Sequence, residues 1–210
     1  MANQSDTAEP GALPVETIAH DGWAEIVLNR PERKNAITGP LGLALADAIN
    51  AAGADPALRV LLLRGAQGAF CSGLDLGEFN ADPAPDWLAD FQHIWRGAHS
   101  ALYNCPVPIV GALERYAING GAALALACDL LLVGEESYLQ VGEAQIGMAA
   151  PYNLAWMSLR LAEHTIAQMS FVGDKCYGPQ LQQQHIAHEC VPDDTVLSSA
   201  QALCERLGTA

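Results

Sequence analysis

The stretch "INGGAALALACDLLLVG", residues 118–134, joins a glycine turn to two apolar segments. Gly120 and Gly121 precede a run that carries no charge until Asp129, and four further apolar residues follow. We predict a helix over 122–128 and a strand over 130–134. The chain has 24 acidic residues, yet none stands in the opening turn of this helix.

The segments on either side of this stretch alternate between strand and helix patterns. Short apolar runs that end at glycine or at turn residues predict strands, and longer runs with apolar residues every three to four positions predict helices. Predicted strands are 24–29, 60–65 and 109–113, and predicted helices are 41–52 and 85–104. From about residue 154 onward the pattern is mostly helical. This alternation predicts an α/β or closely related layered fold.

The second of these helices has a stripe of apolar residues at helical spacing, which we interpret as a core face and not as a cofactor site. Its members are Trp87, Phe91, Ile94, Ala98 and Leu102.

Composition sets limits on the class of protein. The 210 residues are 50% apolar and 16% charged, which suits one packed domain. A net charge of −14 with two lysines disfavours nucleic acid, although a local basic group could still hold an anionic small ligand. No apolar run has the roughly 18 residues of a membrane span.

The cysteines and the N-terminus both bear on location. Six cysteines occur without a CxxC pair, so we interpret most of them as buried thiols in a reducing, cytoplasmic setting. Residues 1–14 are polar, acidic and proline-bearing, which predicts a mobile tail and not a signal peptide.

Several familiar sites are not supported. The chain has no G-x-G-x-x-G, no P-loop and no G-x-S-x-G motif. The segment "HIAHE", 185–189, has two histidines in the wrong order for H-E-x-x-H and no evident third ligand, so no metal site is predicted. Structural roles are expected for His20, His93, His99 and His164.

Two glycine-centred turns remain as candidates for chemistry, "GAFCSGLDL" at 68–76 and the turn at 119–121. A glycine-rich turn that leads into a helix exposes backbone N–H groups at the positive end of the helix dipole. Two such turns facing each other would supply two donors to one oxygen, which is an oxyanion hole. The same spacing also fits two ordinary tight turns.

Four motifs together resemble the crotonase (enoyl-CoA hydratase/isomerase) superfamily, in order and in approximate distance. The resemblance runs from about residue 15 to the C-terminus. It implies a crotonase-like spiral of ββα units with a short helical C-terminal part, and an active site that binds an acyl-CoA thioester. The motifs are "LNRPERKNA" (28–36), "GAFCSGLDLGEF" (68–79), "ERYAINGGAALALACD" (114–129) and "GEAQIG" (142–147).

The resemblance also implies site residues. In this family two backbone N–H groups polarise the thioester carbonyl, and the matching donors are Leu74 and Gly120. Residues that match the pantetheine path and the turn that holds the CoA nucleotide are Ser72, Asp75 and Leu76, and Ala36 with the basic residues Arg30, Arg33 and Lys34. Those basic side chains fit a solvated turn equally well. No cofactor is implied apart from the coenzyme A of the substrate.

One of the two family glutamates is replaced. Hydratases of the family carry a glutamate where this chain has Ala123, and a second one that is present as Glu143. A double-bond shift needs one base that takes a proton from C2 and returns it to C4. The resemblance therefore implies a Δ3,Δ2-enoyl-CoA isomerase with Glu143 as the acid/base. Two alternatives stay open, namely an enoyl-CoA hydratase and a non-catalytic crotonase-fold protein that binds CoA esters.

Other departures from the family lie further along the chain. After "QIGM" the family has proline and a double glycine, whereas Tyr152, Asn153 and Trp156 here could intrude on the acyl pocket. His185 replaces a helix-ending glycine. We expect a core over 15–192 and the start of a C-terminal helical region over 193–210 that is truncated relative to the family. The resemblance further implies fatty acid metabolism and a homotrimer or dimer of trimers.

Overall fold

The computed structural model of the protein describes residues 13–209. Of the predicted tail at 1–14, residues 1–12 therefore lie outside the described residues. The predicted α/β class is confirmed. The strands are β1 (Val15–Ala19), β2 (Trp23–Leu28), β3 (Val60–Gly65), β4 (Ile109–Leu113), β5 (Tyr116–Ile118), β6 (Leu130–Gly134), β7 (Tyr138–Gln140), β8 (Cys176–Tyr177) and β9 (Glu189–Val191).

Eight α-helices alternate with these strands in the described part of the chain. They are α1 (Gly39–Gly53), α2 (Leu76–Phe79), α3 (Phe91–Asn104), α4 (Gly120–Ala127), α5 (Pro151–Arg160), α6 (Glu163–Ala167), α7 (Gly178–Gln183) and α8 (Val196–Gly208). A 3₁₀ turn, Glu143–Ile146, follows β7, and a π-helical turn, Gln168–Val172, follows α6.

The strands form two sheets. The larger has the order β1-β2-β3-β4-β6-β9, with β1 antiparallel to β2 and every other pair parallel. The smaller has the order β5-β7-β8, with β5 and β7 parallel. Since β5 follows β4 and β7 follows β6, consecutive strands pass from the large sheet to the small one. The turns after β4 and β6 therefore bring their loops to the same region of the molecule.

The larger sheet is covered on both faces, which explains why its central strands are continuous apolar runs. One face packs on α1, α3 and α4, and the other packs on α8. Val60 and Leu62 of β3 point to the α8 side, whereas Leu61 and Leu63 point to the main core. The alternation follows from the two-residue period of a strand.

Most predicted elements are confirmed within two residues, and His185 has the left-handed conformation expected of a glycine replacement, with φ 59°. The predicted helix over 85–104 is wrong in its first turn. Only Asp86–Leu88 forms a 3₁₀ turn there, and α3 begins at Phe91. Pro85 and Asp86 suit such a separate turn, because proline fixes the backbone at its start. Of the predicted stripe, Trp87 and Phe91 are only half-buried.

Candidate functional site

The first glycine turn, Cys71–Asp75, is fixed by pairing on both of its sides. Cys71 forms a bridge with Ala117 of β5, and Leu74 forms one with Ile37. The Ile37 N–H donates to the Gly73 carbonyl at 2.8 Å, and the Asp75 N–H donates to the Ile37 carbonyl at 2.9 Å. Because both residues that flank Leu74 bond to Ile37, the Leu74 N–H points to the opposite side of the turn. It has no acceptor within residues 13–209.

The second turn begins α4. Asn119 has φ 51° and ψ −112°, a conformation that residues with a side chain rarely adopt. Gly120 is the first residue of the helix, so its N–H has no partner within α4. It also lacks any other acceptor among the residues that the structure describes. The Gly120 N–H therefore lies at the positive end of the α4 helix dipole.

The two turns pack directly against each other. A Cβ atom on Gly121 would lie 2.5 Å from the Cys71 carbonyl oxygen, and one on Gly120 would lie 2.8 Å from Cδ1 of Ile37. Ile37 is fully buried between the two turns. Its backbone pairs with Leu74, and its side chain reaches the start of α4.

Glu143 begins the turn after β7 and is 8% exposed. The Asn153 amide Nδ2 donates to Glu143 Oε1 at 2.8 Å, whereas Oε2 is buried without a partner in the described part of the chain. Burial raises the pKa of the carboxyl group above its usual value, against lowering by a backbone N–H and by the Asn153 amide. One carboxylate oxygen therefore has a protein partner, and the other has none within residues 13–209.

Two hydrogen bonds connect the residue before α4 to the Glu143 turn and to α5. The Gly142 N–H donates to Asn119 Oδ1 at 2.9 Å, and Asn153 Nδ2 donates to the Asn119 carbonyl at 3.1 Å. Asn119 directly precedes Gly120. Glu143 therefore lies near the start of α4, and Leu74 lies on the first turn, which packs against that start.

Neither position 123 nor Asp129 adds a second carboxylate to this group. Ala123, where a second glutamate could stand, is fully buried on α4. Asp129 lies beyond the far end of that helix, where it accepts from the Ile109 N–H at 2.9 Å and pairs with Arg160 at 3.0 Å. These contacts give Asp129 a structural role at the end of α4.

Two of the residues predicted to bind substrate, Arg33 and Asp75, form an ion-pair cluster with Arg30. Arg33 donates from Nη2 and Nε to the Asp75 carboxylate at 2.7 and 3.1 Å. Arg30 donates to the same carboxylate at 3.1 Å. These arginines, Arg33 first, lower the pKa of Asp75 to about 2. Arg30 also donates to the Ala36 carbonyl at 2.7 Å. Asp75 is 3% exposed and caps α2, so its carboxylate is committed to protein partners.

Ser72 and Leu76, the remaining predicted contacts, lie on the same turn at its outer side. Ser72 is half-buried, and its N–H donates to the Lys34 carbonyl at 3.1 Å. Leu76 is 63% exposed at the start of α2. Both are therefore accessible beside the turn that carries Leu74.

A group of aromatic side chains lies between α3 and α5. The His99 ring stacks on Tyr152 with centroids 4.3 Å apart and meets the edge of Trp95 at 4.6 Å. The Trp156 indole N–H donates to His99 Nδ1 at 2.9 Å, and burial lowers the pKa of His99 to about 3. Trp95 reaches within 3.8 Å of the Cβ position of Gly120. Trp95 and His99 were not singled out as core residues from the sequence, although they follow the predicted stripe by one position.

Comparison with known proteins identifies the family. The sequence profile described as enoyl-CoA hydratase/isomerase matches residues 19–210, which is most of the chain. The chain belongs to the enoyl-CoA hydratase/isomerase family, within the crotonase superfamily.

Individual relatives are distant but cover nearly the whole chain. The 1,2-epoxyphenylacetyl-CoA isomerase of Escherichia coli is 28% identical over 192 residues, which are 90% of this chain and 73% of that protein. A solved enoyl-CoA hydratase/carnitine racemase of Magnetospirillum magneticum is 25% identical with a TM-score of 0.84, covering 94% of this chain and 75% of that one. A solved protein of Pseudomonas aeruginosa, also 25% identical, has a TM-score of 0.86 and covers 96% and 87%. The crotonase fold is therefore confirmed.

A cavity of about 320 Å³ lies beside the Glu143 turn of this crotonase-family protein. It is lined by α5, α6 and the π-helical turn, and Ser170 contributes a buried hydroxyl without a partner in the described residues. Its lining includes Ala144 but neither Glu143 nor the two unpaired N–H groups. It is thus a neighbouring space and not the space between those groups.

Three further observations concern the described residues of this crotonase-family chain. All six cysteines, which lie within residues 13–209, are free thiols. In that part of the chain no three His, Cys, Asp or Glu side chains are grouped to hold a metal ion. Across the same residues, every helix is too short or too polar to cross a bilayer.

Proposed function

We propose that this protein is an acyl-CoA enzyme, most simply a Δ3,Δ2-enoyl-CoA isomerase. The thioester carbonyl oxygen accepts hydrogen bonds from the N–H groups of Leu74 and Gly120. Glu143 takes a proton from C2 of the 3-enoyl group and returns it to C4. The observation that carries the proposal is a buried carboxylate with one unpartnered oxygen, tied by hydrogen bonds to the turn that presents a free N–H.

The two N–H groups supply the stabilisation that this chemistry needs. Removing the C2 proton leaves a dienolate whose negative charge rests on the thioester oxygen. Backbone donors that already point at this oxygen lower the barrier by about 3–4 kcal/mol each in comparable sites. The helix dipole of α4 acts in the same direction. Since both donors are backbone groups, the leucine side chain at position 74 is no obstacle.

A single acid favours isomerisation over hydration. Hydration requires a base that activates water and a second group that delivers a proton to carbon. Position 123 holds a buried alanine, so the chain lacks the carboxylate that would share this work. A 1,3-proton shift needs only one group that is first base and then acid.

The pKa of Glu143 suits a proton shuttle. Burial raises it, so the carboxylate binds a proton more tightly than an exposed glutamate would. A base whose pKa lies nearer the working pH both accepts and releases a proton efficiently. No charged neighbour is needed for the shift.

Coenzyme A enters as part of the substrate, and we propose no separate cofactor. The pantetheine arm would pass Ser72, Leu76 and the backbone of Asp75. The nucleotide end would meet the turn with Ala36 and the half-exposed Arg33. The Arg33 guanidinium can contact an anionic group while it stays paired with Asp75. A cytoplasmic location is supported by the free thiols.

We further propose a homotrimer or a dimer of trimers in fatty acid metabolism. Large apolar side chains are exposed near the cavity, and we call this group the apolar face. Such a group on one side of a protein is typical of an interface. Its members are Ile146, Met148, Leu154, Phe171 and Val172.

The proposed reaction is tested by incubating the purified protein with trans-3-enoyl-CoA and trans-2-enoyl-CoA in parallel and separating the products by chromatography. Conversion of the 3-enoyl substrate without 3-hydroxyacyl-CoA is expected. Formation of 3-hydroxyacyl-CoA from the 2-enoyl substrate would favour the hydratase instead. Binding of both CoA esters without turnover would favour a non-catalytic CoA-ester-binding protein.

A further inference from the structure

We propose that Asn153 is a positioning residue for Glu143: its amide holds Oε1 so that Oε2 alone carries the proton, and it ties that carboxylate to the turn that presents Gly120. The inference rests on the proposed function, because it assigns a role within the same site. The sequence motifs assign no such role to this position.

The orientation of the Asn153 amide is fixed by its partners. Nδ2 lies 2.8 Å from Glu143 Oε1 and 3.1 Å from the Asn119 carbonyl oxygen, and both partners are acceptors. The NH₂ group must therefore face them, with one hydrogen for each. An amide turned the other way would place its oxygen against two acceptors.

The position of Asn153 is itself well defined. The residue is 2% exposed, in the first turn of α5, and Pro151 begins that helix. Its neighbours Tyr152 and Trp156 both pack against His99 of α3. A side chain supported in this way has little freedom, so the carboxylate oxygen that it holds has little freedom either.

The NH₂ group of Asn153 bridges two parts of the proposed site. It donates to the base, Glu143, and to the carbonyl of Asn119 in the second turn. Glu143 Oε2 is buried without a partner in the described residues, so Asn153 is the protein side chain that holds this carboxylate.

This arrangement defines which atom moves the proton. With Oε1 engaged, the lone pair that faces a substrate belongs to Oε2. The C2–H bond breaks as Oε2 gains the proton, and the electron pair passes into the dienolate held by the two N–H groups. The O–H bond then breaks as C4 gains the proton, so the carboxylate is regenerated and no other reactant is needed.

Among the side chains, only the Asn153 amide lowers the pKa of Glu143. The pKa of Glu143 responds to burial, to its own backbone N–H and to the Asn153 amide, and no charged residue contributes. Arg160 is turned away to Asp129 and to the carbonyls of Ala127 and Cys128. The titratable side chains on α5 and on the packed helix α6 are Tyr152, Arg160, Glu163 and His164, and His99 of α3 stacks on Tyr152. The segments α4 and Gln168–Val172, which pack on α5 and on the Glu143 turn, carry none.

The test compares two variants of Asn153 with wild type. Asn153→Ala removes the donor, and Asn153→Asp keeps the shape but places a second carboxyl group against Oε1. Since a donated hydrogen bond lowers the pKa of a carboxyl group, both changes raise the pKa of Glu143, the second more strongly. The acid limb of kcat/KM then moves to higher pH by about 0.5 to 1 pH unit. At neutral pH kcat falls by about 10- to 100-fold while KM stays within a few-fold.

Ser158→Ala is the matched control, because it removes a side-chain hydrogen bond from the exposed side of the same helix. It is expected to leave the pH profile unchanged. Thermal unfolding identifies any variant that fails to fold, and Asn153→Asp, being isosteric, keeps the test available if Asn153→Ala does not fold.

A readout without turnover separates this inference from the proposed reaction. The Glu143 carboxyl carbon is followed by ¹³C NMR titration and assigned with Glu143→Gln. If wild type converts no enoyl-CoA but the pKa of Glu143 rises in Asn153→Ala, the proposed reaction is contradicted, whereas the positioning of Glu143 by Asn153 is supported. Folded variants in which neither the NMR titration nor the acid limb moves would overturn the positioning role.

Discussion

At the scale of single residues, the proposed site is built around one acid, Glu143, and the amide of Asn153 that holds it. The carboxylate is buried, one oxygen is held, and the position that could supply a second acid is a buried alanine at 123. The sequence motif located Glu143 in advance. It could not locate its contact with Asn153, because the two residues lie on different elements and only the fold brings them together.

His99 permits a prediction about stability and pH. Burial lowers its pKa to about 3 in the folded protein, against about 6.5 in an unfolded chain. Below pH 6.5 the unfolded state binds a proton that the folded state does not, so stability falls as the pH falls. Between pH 7 and pH 5 this group alone costs about 2 kcal/mol.

The measurement is urea unfolding of wild type and His99→Gln at pH 7 and pH 5. Glutamine keeps an acceptor for the Trp156 N–H and does not titrate. The variant is expected to lose about 2 kcal/mol less than wild type between the two pH values. Equal losses in the two proteins would show that His99 is not held neutral.

Contacts between the two glycine turns dominate at the scale of secondary-structure elements. Gly121→Ala would place a Cβ 2.5 Å from the Cys71 carbonyl oxygen, which is backbone and cannot move aside cheaply. We expect a loss of about 1–3 kcal/mol in the free energy of unfolding. Because the clash separates the turns that carry Leu74 and Gly120, activity should fall as well.

Gly97→Ala is the control for this prediction. A Cβ on Gly97 in α3 would meet nothing within 4 Å, so alanine there should raise stability by up to about 1 kcal/mol through its better helix propensity. Urea unfolding of both variants gives the comparison. A Gly121→Ala protein as stable and active as wild type would contradict the close packing of the turns.

The strands that the sequence predicted and those it missed differ in apolar content and mostly in length. Strands β3, β4 and β6 are mainly apolar segments of five or six residues, and their bounds match the prediction. Strand β1 also has five residues, but it was missed because only Val15 in it is buried. Strands β5, β7 and β8 have two or three residues, too few to show a period. Their pairing depends on where the larger sheet places them. The ion pairs of Asp75 were missed for the same reason, since its arginine partners lie 42 and 45 residues away.

The apolar face concerns the whole molecule. Phe171 is 81% exposed on the π-helical turn, close to Met148 and Leu154 around the same cavity. If subunits associate through this face, Phe171→Asp places a charge in the interface, which is unfavourable without a partner. We expect analytical ultracentrifugation to show a smaller assembly for this variant than for wild type.

Leu43→Asp serves as its control, because Leu43 is a 51% exposed apolar residue on α1. This variant should keep the assembly of wild type. A wild-type protein that is monomeric at all concentrations, or a Phe171→Asp protein with an unchanged sedimentation profile, would contradict assembly through the apolar face.

The central claim is that Glu143 alone moves the proton, and the most direct measurement is the isomerisation rate of Glu143→Gln with trans-3-enoyl-CoA. Glutamine keeps the shape of the side chain but cannot accept the C2 proton. The account predicts a fall in kcat of about 10²- to 10⁴-fold with the fold and the binding of the CoA ester retained. Isomer formation by the variant at the rate of wild type would contradict it.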